Sequence, residues 1–251
     1  MSQPKFQRRL LIVPTIVLII LASLFICLYQ AVKNRYISIN EWSLGSDSIR
    51  GVDISAYQAD VDMAKLKEQG IQFVYIKATE GRSHVDDRFL ENWRNAKESG
   101  LPAGAYHFFN FESSGAEQAK IFIQTVGESL EGRLLPAIDL EVYGEKETII
   151  PNKEFLNKEL KIMLNLLEGQ YGVKPIIYAQ KDFYDTYLTD FSDYPRWIRD
   201  VYVPANWKHG DNWLIWQYND RGQLEGYSGG EKYIDLNVIN PSKNLDDLRV
   251  K

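Results

Sequence analysis

The sequence contains few of the residues that build disulfides and imidazole metal sites. In 251 residues there are one cysteine and three histidines. The lone cysteine, Cys27, excludes an intramolecular disulfide, and three histidines offer little to a zinc or iron site. The net charge of −5 argues against a nucleic-acid-binding protein, which would use surplus Lys and Arg to contact phosphates. We therefore predict no cofactor, no metal and no nucleic-acid partner.

Nucleotide-binding patterns are also missing, whereas hydrophobic residues are plentiful. Neither a P-loop nor a G-x-G-x-x-G pattern follows any predicted strand, so nucleotide binding has no support. Hydrophobic residues form 45% of the chain, which is ample for a core. A chain of this length fits one large domain or two small ones.

The N-terminus carries an uncharged apolar run over residues 10–32. As a helix it would cross about 30 Å of hydrocarbon. Lys5, Arg8 and Arg9 precede it, and the positive-inside rule then puts the N-terminus in the cytoplasm. A cleaved signal peptide is the alternative, but the run exceeds a usual apolar region of such peptides and no clean A-x-A site follows. We predict a cytoplasmic tail (1–9), a transmembrane signal anchor (10–32), a polar linker (33–49) and one folded domain outside the cell membrane (50–251).

From Gly51 onward, short β patterns alternate with helical ones. The β runs are GVDISA, IQFVYIKA, LPAGAYHFF, LLPAIDLE, KPIIYA, RWIRDVY, NWLIWQY and KYIDLNV, and the helical patterns between them become poorer along the chain. Eight strands alternating with helices predict an α/β fold, a TIM-like (β/α) barrel that is irregular in its second half. A doubly wound sheet is the main alternative.

Polar residues fall where these strands end. The carboxyl ends of barrel strands converge on one face, where active sites of such barrels lie. Asp139 and Glu141 share one face of their strand because side chains alternate. Any one acid could be an ordinary satisfied polar group, but the joint pattern predicts a site. The four carboxyl groups of Asp53, Asp139, Glu141 and Asp235 would meet in one cavity, and the other polar residues at or near strand ends are Lys77, His107, Tyr178 and Gln217.

Six of these stretches, in this order, resemble glycoside hydrolase family 25, the muramidases that cut peptidoglycan: GVDISAYQ, FVYIKATEG, GAYHFF, AIDLE, WQY and YIDLN. The resemblance covers about residues 51–240. It implies a modified β/α barrel with fewer helices than eight, and hydrolysis of the β-1,4 bond between N-acetylmuramic acid and N-acetylglucosamine. The family's acidic quartet falls on Asp53, Asp139, Glu141 and Asp235. The stretch WIRDVYVPANW is more charged than is usual in the family, which weakens the expectation that Trp197 and Tyr202 contact sugar.

Glycosidic cleavage needs one carboxylic acid to protonate the leaving oxygen and a second carboxylate to stabilise developing positive charge. We assign Glu141 as the general acid because its side chain reaches further. Asp139 then stabilises either the transition state or the 2-acetamido group of the substrate. Asp53 and Asp235 hold the network. Side-chain rotamers set the separation of the two carboxylates, so the sequence leaves retention and inversion both open.

Five residues are predicted to bind the glycan strand: Lys77, Tyr106, Tyr178, Trp197 and Gln217. Lys77 is expected to pair with one of the acids. His107 follows Tyr106, so it should face away from the barrel interior and pack under a helix. The aromatic group Trp207, Trp213, Trp216 and Tyr218 fits either a groove or the core.

The expected partners are peptidoglycan and, through the anchor, the membrane, with the protein itself monomeric. Two other functions are compatible with a carboxylate-rich barrel. One is a metal-dependent hydrolase, and the other is a wall-binding module that has lost its chemistry.

Overall fold

The computed structural model describes residues 4–142 and 152–251. It begins with a long helix, α1 (Pro4–Lys33). Within Val13–Lys33 of α1, the most apolar window has a mean hydropathy of 2.5 and is not buried by the rest of the chain. By length and composition this helix is able to cross a membrane, a property that signal sequences share.

After a four-residue helix, α2 (Ile39–Trp42), the chain enters a barrel. Eight of the strands in the described part of the chain form a closed circuit, because β1 pairs with both β2 and β9. The short β3 adds an antiparallel hairpin to the end of β2. Closure confirms the predicted barrel and excludes the doubly wound sheet. The strands are β1 (Arg50–Ile54), β2 (Ile71–Glu80), β3 (His84–Val85), β4 (Ala103–Phe108), β5 (Ala137–Asp139), β6 (Ile176–Gln180), β7 (Arg196–Arg199), β8 (Ile215–Gly222) and β9 (Ile234–Ile239).

The last strand runs against its neighbours. β9 is antiparallel to both β8 and β1, whereas the other barrel pairings are parallel. The expectation that every strand presents its carboxyl end to one face is therefore wrong for β9. Asp235 still reaches that face because it stands near the amino end of the reversed strand, directly opposite Asp53.

Helices cover the first half of the barrel more completely than the second. The helices are α3 (Met63–Glu68), α4 (Phe89–Ser99), α5 (Gly115–Val126), α6 (Lys153–Tyr171), α7 (Lys181–Tyr187) and α8 (Ala205–Lys208). The Asn152 side chain caps α6 by accepting a hydrogen bond from Phe155 N at 2.9 Å. Only the four-residue α8 joins β7 to β8, and the described chain between β8 and β9 contains no helix. The fold therefore has fewer helices than a full barrel.

Two glycines let aromatic rings fill the barrel interior. A Cβ on Gly104 would lie 2.3 Å from Tyr75 Cε1, and one on Gly51 would lie 2.3 Å from Phe73 Cζ. Both rings are fully buried. Tyr75 packs in turn against Trp197, with 4.8 Å between ring centroids. These rings form a solid floor beneath the open end of the barrel.

Part of the predicted linker packs against the barrel. Asn40 of α2 is fully buried, and its Nδ2 donates to Asp200 O and Tyr218 O, both at 2.9 Å. The neighbouring Glu41 Oε1 accepts a hydrogen bond from Asn219 Nδ2 at 2.9 Å. Residues 39–42 are thus held on the domain rather than extended away from it.

Candidate active site

A cavity of about 800 Å³ opens at one end of the barrel. Its lining includes all four acids and all five glycan-binding residues that the sequence singled out: Asp53, Lys77, Tyr106, Asp139, Glu141, Tyr178, Trp197, Gln217 and Asp235. These residues come from positions spread over more than 180 residues of chain, and the closed barrel brings them to one place. Their individual roles stay predictions.

The four acids come from three strands. Asp53 and Asp235 are directly paired across β1 and β9. Asp139 is the last residue of β5, and Glu141 follows two residues later, where the strand has ended. The arrangement places the two halves of the quartet across the barrel mouth from each other.

Burial dominates the acid–base behaviour of these carboxyls. It raises the pKa of Asp53 to about 6, although hydrogen bonds from Asn237 and Gln217 oppose the rise. Burial also raises the pKa of Asp139, and the charges of Glu141 and Asp53 add to that effect. Burial followed by the charge of Asp53 raises the pKa of Asp235 well above its usual value. The cluster is therefore built to retain protons near neutral pH.

A hydrogen-bonded chain orients Asp53. Trp197 Nε1 can only donate, and it donates to Asn237 Oδ1 at 2.8 Å. This fixes the Asn237 amide so that its Nδ2 faces Asp53 Oδ2, to which it donates at 2.7 Å. Gln217 Nε2 donates to the same oxygen at 3.2 Å. Trp197, which is 2% exposed, therefore supports the acids through Asn237 besides lining the cavity.

Glu141 is linked to Asp53 through two side chains. Tyr178 Oη lies 3.0 Å from Glu141 Oε1 and 2.8 Å from Gln217 Oε1. A phenol carries one proton, so it cannot donate to both oxygens. The network is satisfied when a protonated Glu141 donates to Tyr178, which donates to Gln217, which donates to Asp53. Turning the Gln217 amide over reverses the chain and moves the proton to Asp53. The contacts therefore join Glu141 to Asp53 through Tyr178 and Gln217 in either orientation of the amide.

Asp139 differs from the other acids in its partners. Among the described residues, its buried Oδ1 has no hydrogen-bond partner. A buried carboxylate oxygen without a donor is costly, so this atom is free to accept a donor from a bound molecule. An amide N–H of the kind present in N-acetyl sugars would satisfy it.

Lys77 corrects one expectation. Its Nζ lies 2.6 Å from Glu80 Oε2, and it sits 4.9 Å from the centre of the Phe108 ring. The prediction that Lys77 pairs with one of the four acids is wrong, because Glu80, three residues further along β2, is within closer reach. Its charge nonetheless lowers the pKa of Asp139, against the larger effect of burial.

Arg199 is a further residue of the site that was not predicted from the sequence. Its Nε lies 3.6 Å from Glu141 Oε1, and Nη2 donates to Asp220 Oδ2 at 2.8 Å. Both Arg199 and Asp220 line the cavity. Arg199 stands two residues after Trp197 on β7, so strand alternation places both on the inner face. The two-residue spacing from Trp197 was therefore the sequence feature that could have predicted Arg199 as a site residue.

The exposure of His107 and of the four aromatic residues between 207 and 218 decides whether each belongs to the core or to the cavity. His107 faces outward as predicted, with Nδ1 2.7 Å from Thr79 Oγ1 and Nε2 3.0 Å from Gln118 Oε1 of α5. Burial lowers the pKa of His107 to about 4. Trp213, Trp216 and Tyr218 are buried in the core, and Trp207 is exposed. The cavity lining contains none of these four.

Within the described ranges, no three side chains of His, Cys, Asp or Glu are placed to share one metal ion. The cavity gathers four carboxyl groups, one of which has an unpartnered oxygen, between aromatic walls. Carboxyl groups gathered in a cleft are what glycoside hydrolases use to cleave sugar linkages.

Comparison with known proteins gives the family. The model of "Glycosyl hydrolases family 25" matches residues 52–227, and the chain belongs to that family. An Escherichia coli protein called "Uncharacterized protein YegX" is 38% identical over 218 residues, covering 84% of this chain and 75% of the relative. "Lysozyme M1" of Streptomyces globisporus is 30% identical over 217 residues, covering 78% of this chain and 69% of the relative.

A solved structure agrees. The family 25 glycosyl hydrolase from Bacillus anthracis is 43% identical and superimposes with a TM-score of 0.72, covering 79% of this chain and 91% of the other. The family resemblance read from six motifs is thereby confirmed, and the protein is a glycoside hydrolase.

Proposed function

We propose that this protein is a muramidase that hydrolyses the β-1,4 bond between N-acetylmuramic acid and N-acetylglucosamine in peptidoglycan. Family membership supports the reaction class. Relatives named as lysozyme and N,O-diacetylmuramidase support the substrate class. The single observation that carries the proposal is the hydrogen-bond network that joins Glu141 to Asp53 through Tyr178 and Gln217, beside the unpartnered oxygen of Asp139.

Glu141 is the general acid in this mechanism. In its protonated form, the Glu141 carboxyl donates its proton to the leaving glycosidic oxygen. After transfer, the Glu141 carboxylate is stabilised by Tyr178 Oη at 3.0 Å and by Arg199 Nε at 3.6 Å. Both groups favour the charged form that proton donation creates, which lowers the barrier to that step.

Asp139 acts on the substrate rather than on the leaving group. Its Oδ1 accepts the N–H of the 2-acetamido group, which orients the acetamido oxygen towards the anomeric carbon and stabilises the positive charge that develops there. Asp53 and Asp235 hold the remaining network, with Asn237 and Gln217 donating to Asp53. Lys77, Tyr106, Tyr178, Trp197 and Gln217 form the walls that bind the glycan.

Digestion of purified peptidoglycan by the full-length protein tests this function. Mass spectrometry of the reduced products should show new reducing ends on N-acetylmuramic acid. Reducing ends on N-acetylglucosamine would assign the enzyme to a different bond. Adsorption to the wall with no soluble fragments would indicate a binding module, and loss of activity in EDTA would indicate a metal-dependent hydrolase.

The proposed location of the protein is based on α1. We infer a single-pass protein of the cell membrane, with a cytoplasmic tail at 1–9, the anchor at 10–32 and a monomeric catalytic domain (50–251) outside. The apolar length of α1 and the basic residues Lys5, Arg8 and Arg9 support this topology.

A further inference from the structure

The segment after α1 reaches the rim of the active-site cavity. Asn34 O accepts a hydrogen bond from Arg221 Nη1 at 3.2 Å. Arg35 Nη2 lies 2.5 Å from Asp220 Oδ1, and its guanidinium stacks over the Tyr202 ring at 5.3 Å. Asp220 and Arg221 both line the cavity. The chain that leaves the anchor helix is therefore in direct contact with the wall of the site.

Ion pairs continue from this contact to the proposed acid. Asp220 holds Arg35 through one oxygen and Arg199 Nη2 through the other, at 2.8 Å. Arg199 Nε is in turn 3.6 Å from Glu141 Oε1. The side chains of Arg35, Asp220, Arg199 and Glu141 are 10%, 22%, 23% and 5% exposed. Charges sheltered to this degree are screened less than surface charges.

The backbone of Arg35 has a conformation that is uncommon for arginine. Its φ is +65°, in the left-handed region, just past the end of α1. Glycine or asparagine usually occupies such a position, because other side chains crowd the backbone there. An arginine in this conformation is retained where surrounding contacts hold it. Here those contacts are Asp220 and Tyr202.

We propose that Arg35 is a positioning residue for the active site, which acts through Asp220 to hold Arg199 against Glu141. The inference rests on the proposed function, since it assigns the purpose of the relay to the general acid. It makes the segment next to the anchor a part of the hydrolase rather than a passive connection.

The charges around the relay give the sign of its effect. Asp220 faces Arg35 and Arg199, and its charge raises the pKa of Asp235 on β9, whereas Arg199 lowers it. Glu141 faces Arg199, Tyr178, Asp139 and Asp53. Removing Arg35 leaves Asp220 less neutralised and draws Arg199 towards it. Both changes favour the protonated forms of the site carboxyls, so the activity profile should move to higher pH.

The test compares full-length wild-type protein with R35G and R35K in detergent micelles. Glycine fits a φ of +65° without strain, so R35G removes the guanidinium while preserving the turn. We expect the pH profile of kcat on peptidoglycan to shift upward by about 0.3 pH unit or more, the scale of one partly screened charge. R35K keeps the charge without the fork and should recover at least half of the shift.

R94Q is the matched control, because Arg94 is an exposed residue of α4 whose ion-pair partner is Glu98. Its profile should coincide with that of the wild type, and thermal unfolding should show that every variant is folded. An R35G profile that coincides with the wild-type profile would overturn the inference. An R35K profile that coincides with that of R35G would overturn a role through charge.

A wild-type protein without hydrolytic activity would refute the proposed function instead. Carbon-13 NMR titration of the site carboxyls in wild type and R35G would then decide the inference, an unchanged titration being the overturning result.

Discussion

At the scale of the residue, Glu141 faces two groups that respond differently to its proton. Tyr178 can accept from the acid or donate to the carboxylate, whereas Arg199 stabilises only the carboxylate. Glu141→Gln keeps the shape and can still donate to Tyr178, but it has no proton for the leaving oxygen. We expect kcat on peptidoglycan to fall by at least about a hundredfold. Steady-state release of reducing sugar measures it.

The control for that substitution is Glu98→Gln, which makes the same chemical change on exposed α4. It should leave kcat within experimental error. Near-wild-type turnover of Glu141→Gln, with the fold intact by circular dichroism, would remove Glu141 from the role of acid.

Asp235 presents the opposite situation, a carboxyl whose ionised form is disfavoured. Burial and the opposed Asp53 raise its pKa well above its usual value. A carboxyl group whose pKa is raised by folding does not change the free energy of unfolding at pH values below its unfolded pKa of about 4. As the pH rises above that value, the group progressively destabilises the folded state. Asp235→Asn removes this penalty. The variant should unfold at the wild-type temperature or higher at pH 7, with a smaller difference near pH 4.

The same substitution should reduce activity and shift the pH–rate profile, because Asp235 lies opposite Asp53, whose charge raises the pKa of Asp235. Parallel thermal scans and rate profiles from about pH 4 to 8 give both readings. Full activity with an unchanged profile would place Asp235 outside the site and reduce the quartet to three acids.

At the scale of the element, the hydrophobic period predicted the strands but not their direction. Tyr233, Asp235 and Asn237 share a face whether the strand runs with its neighbours or against them, so the pattern KYIDLNV cannot reveal that β9 is reversed. Direction depends on the connection from β8, where the described chain contains no helix to carry a parallel crossover. The weakness of the helical signal before β9 was the usable clue.

Residues that act through partners were equally hard to predict. Asn40 is buried by hydrogen bonds to Asp200 O and Tyr218 O, which are remote in sequence, so its stretch looked like a polar linker. From the sequence, Lys77 could pair with any of several acids, and the structure shows that its partner is Glu80. The acids themselves were predictable because each sits at the end of a recognisable strand.

Close packing between β2 and β4 yields a test of the barrel floor. A Cβ at Gly104 would stand 2.3 Å from Tyr75 Cε1, and Tyr75 is fully buried against Trp197. Gly104→Ala should therefore lower the free energy of unfolding by about 1–3 kcal/mol. Gly230→Ala is the control, since a Cβ there meets nothing within 4 Å. Urea denaturation of both variants compares them, and equal stability would mean that the floor can relax.

At the scale of the whole molecule, the question is how a barrel whose site contacts residues 34 and 35 is attached to the cell. If α1 is an uncleaved anchor, the intact protein should remain with membranes after salt and carbonate washes. Protease added after wall removal should then digest the domain and spare residues that lie inside the bilayer. The positive-inside arrangement of Lys5, Arg8 and Arg9 predicts that outcome.

Mass spectrometry of the membrane-bound form should find its natural N-terminus. A soluble protein that begins near Lys33 would show instead that the apolar segment is removed by cleavage. Such a form would keep Arg35 at the cavity rim. Cleavage beyond residue 35 would also remove the ion pair between Arg35 and Asp220.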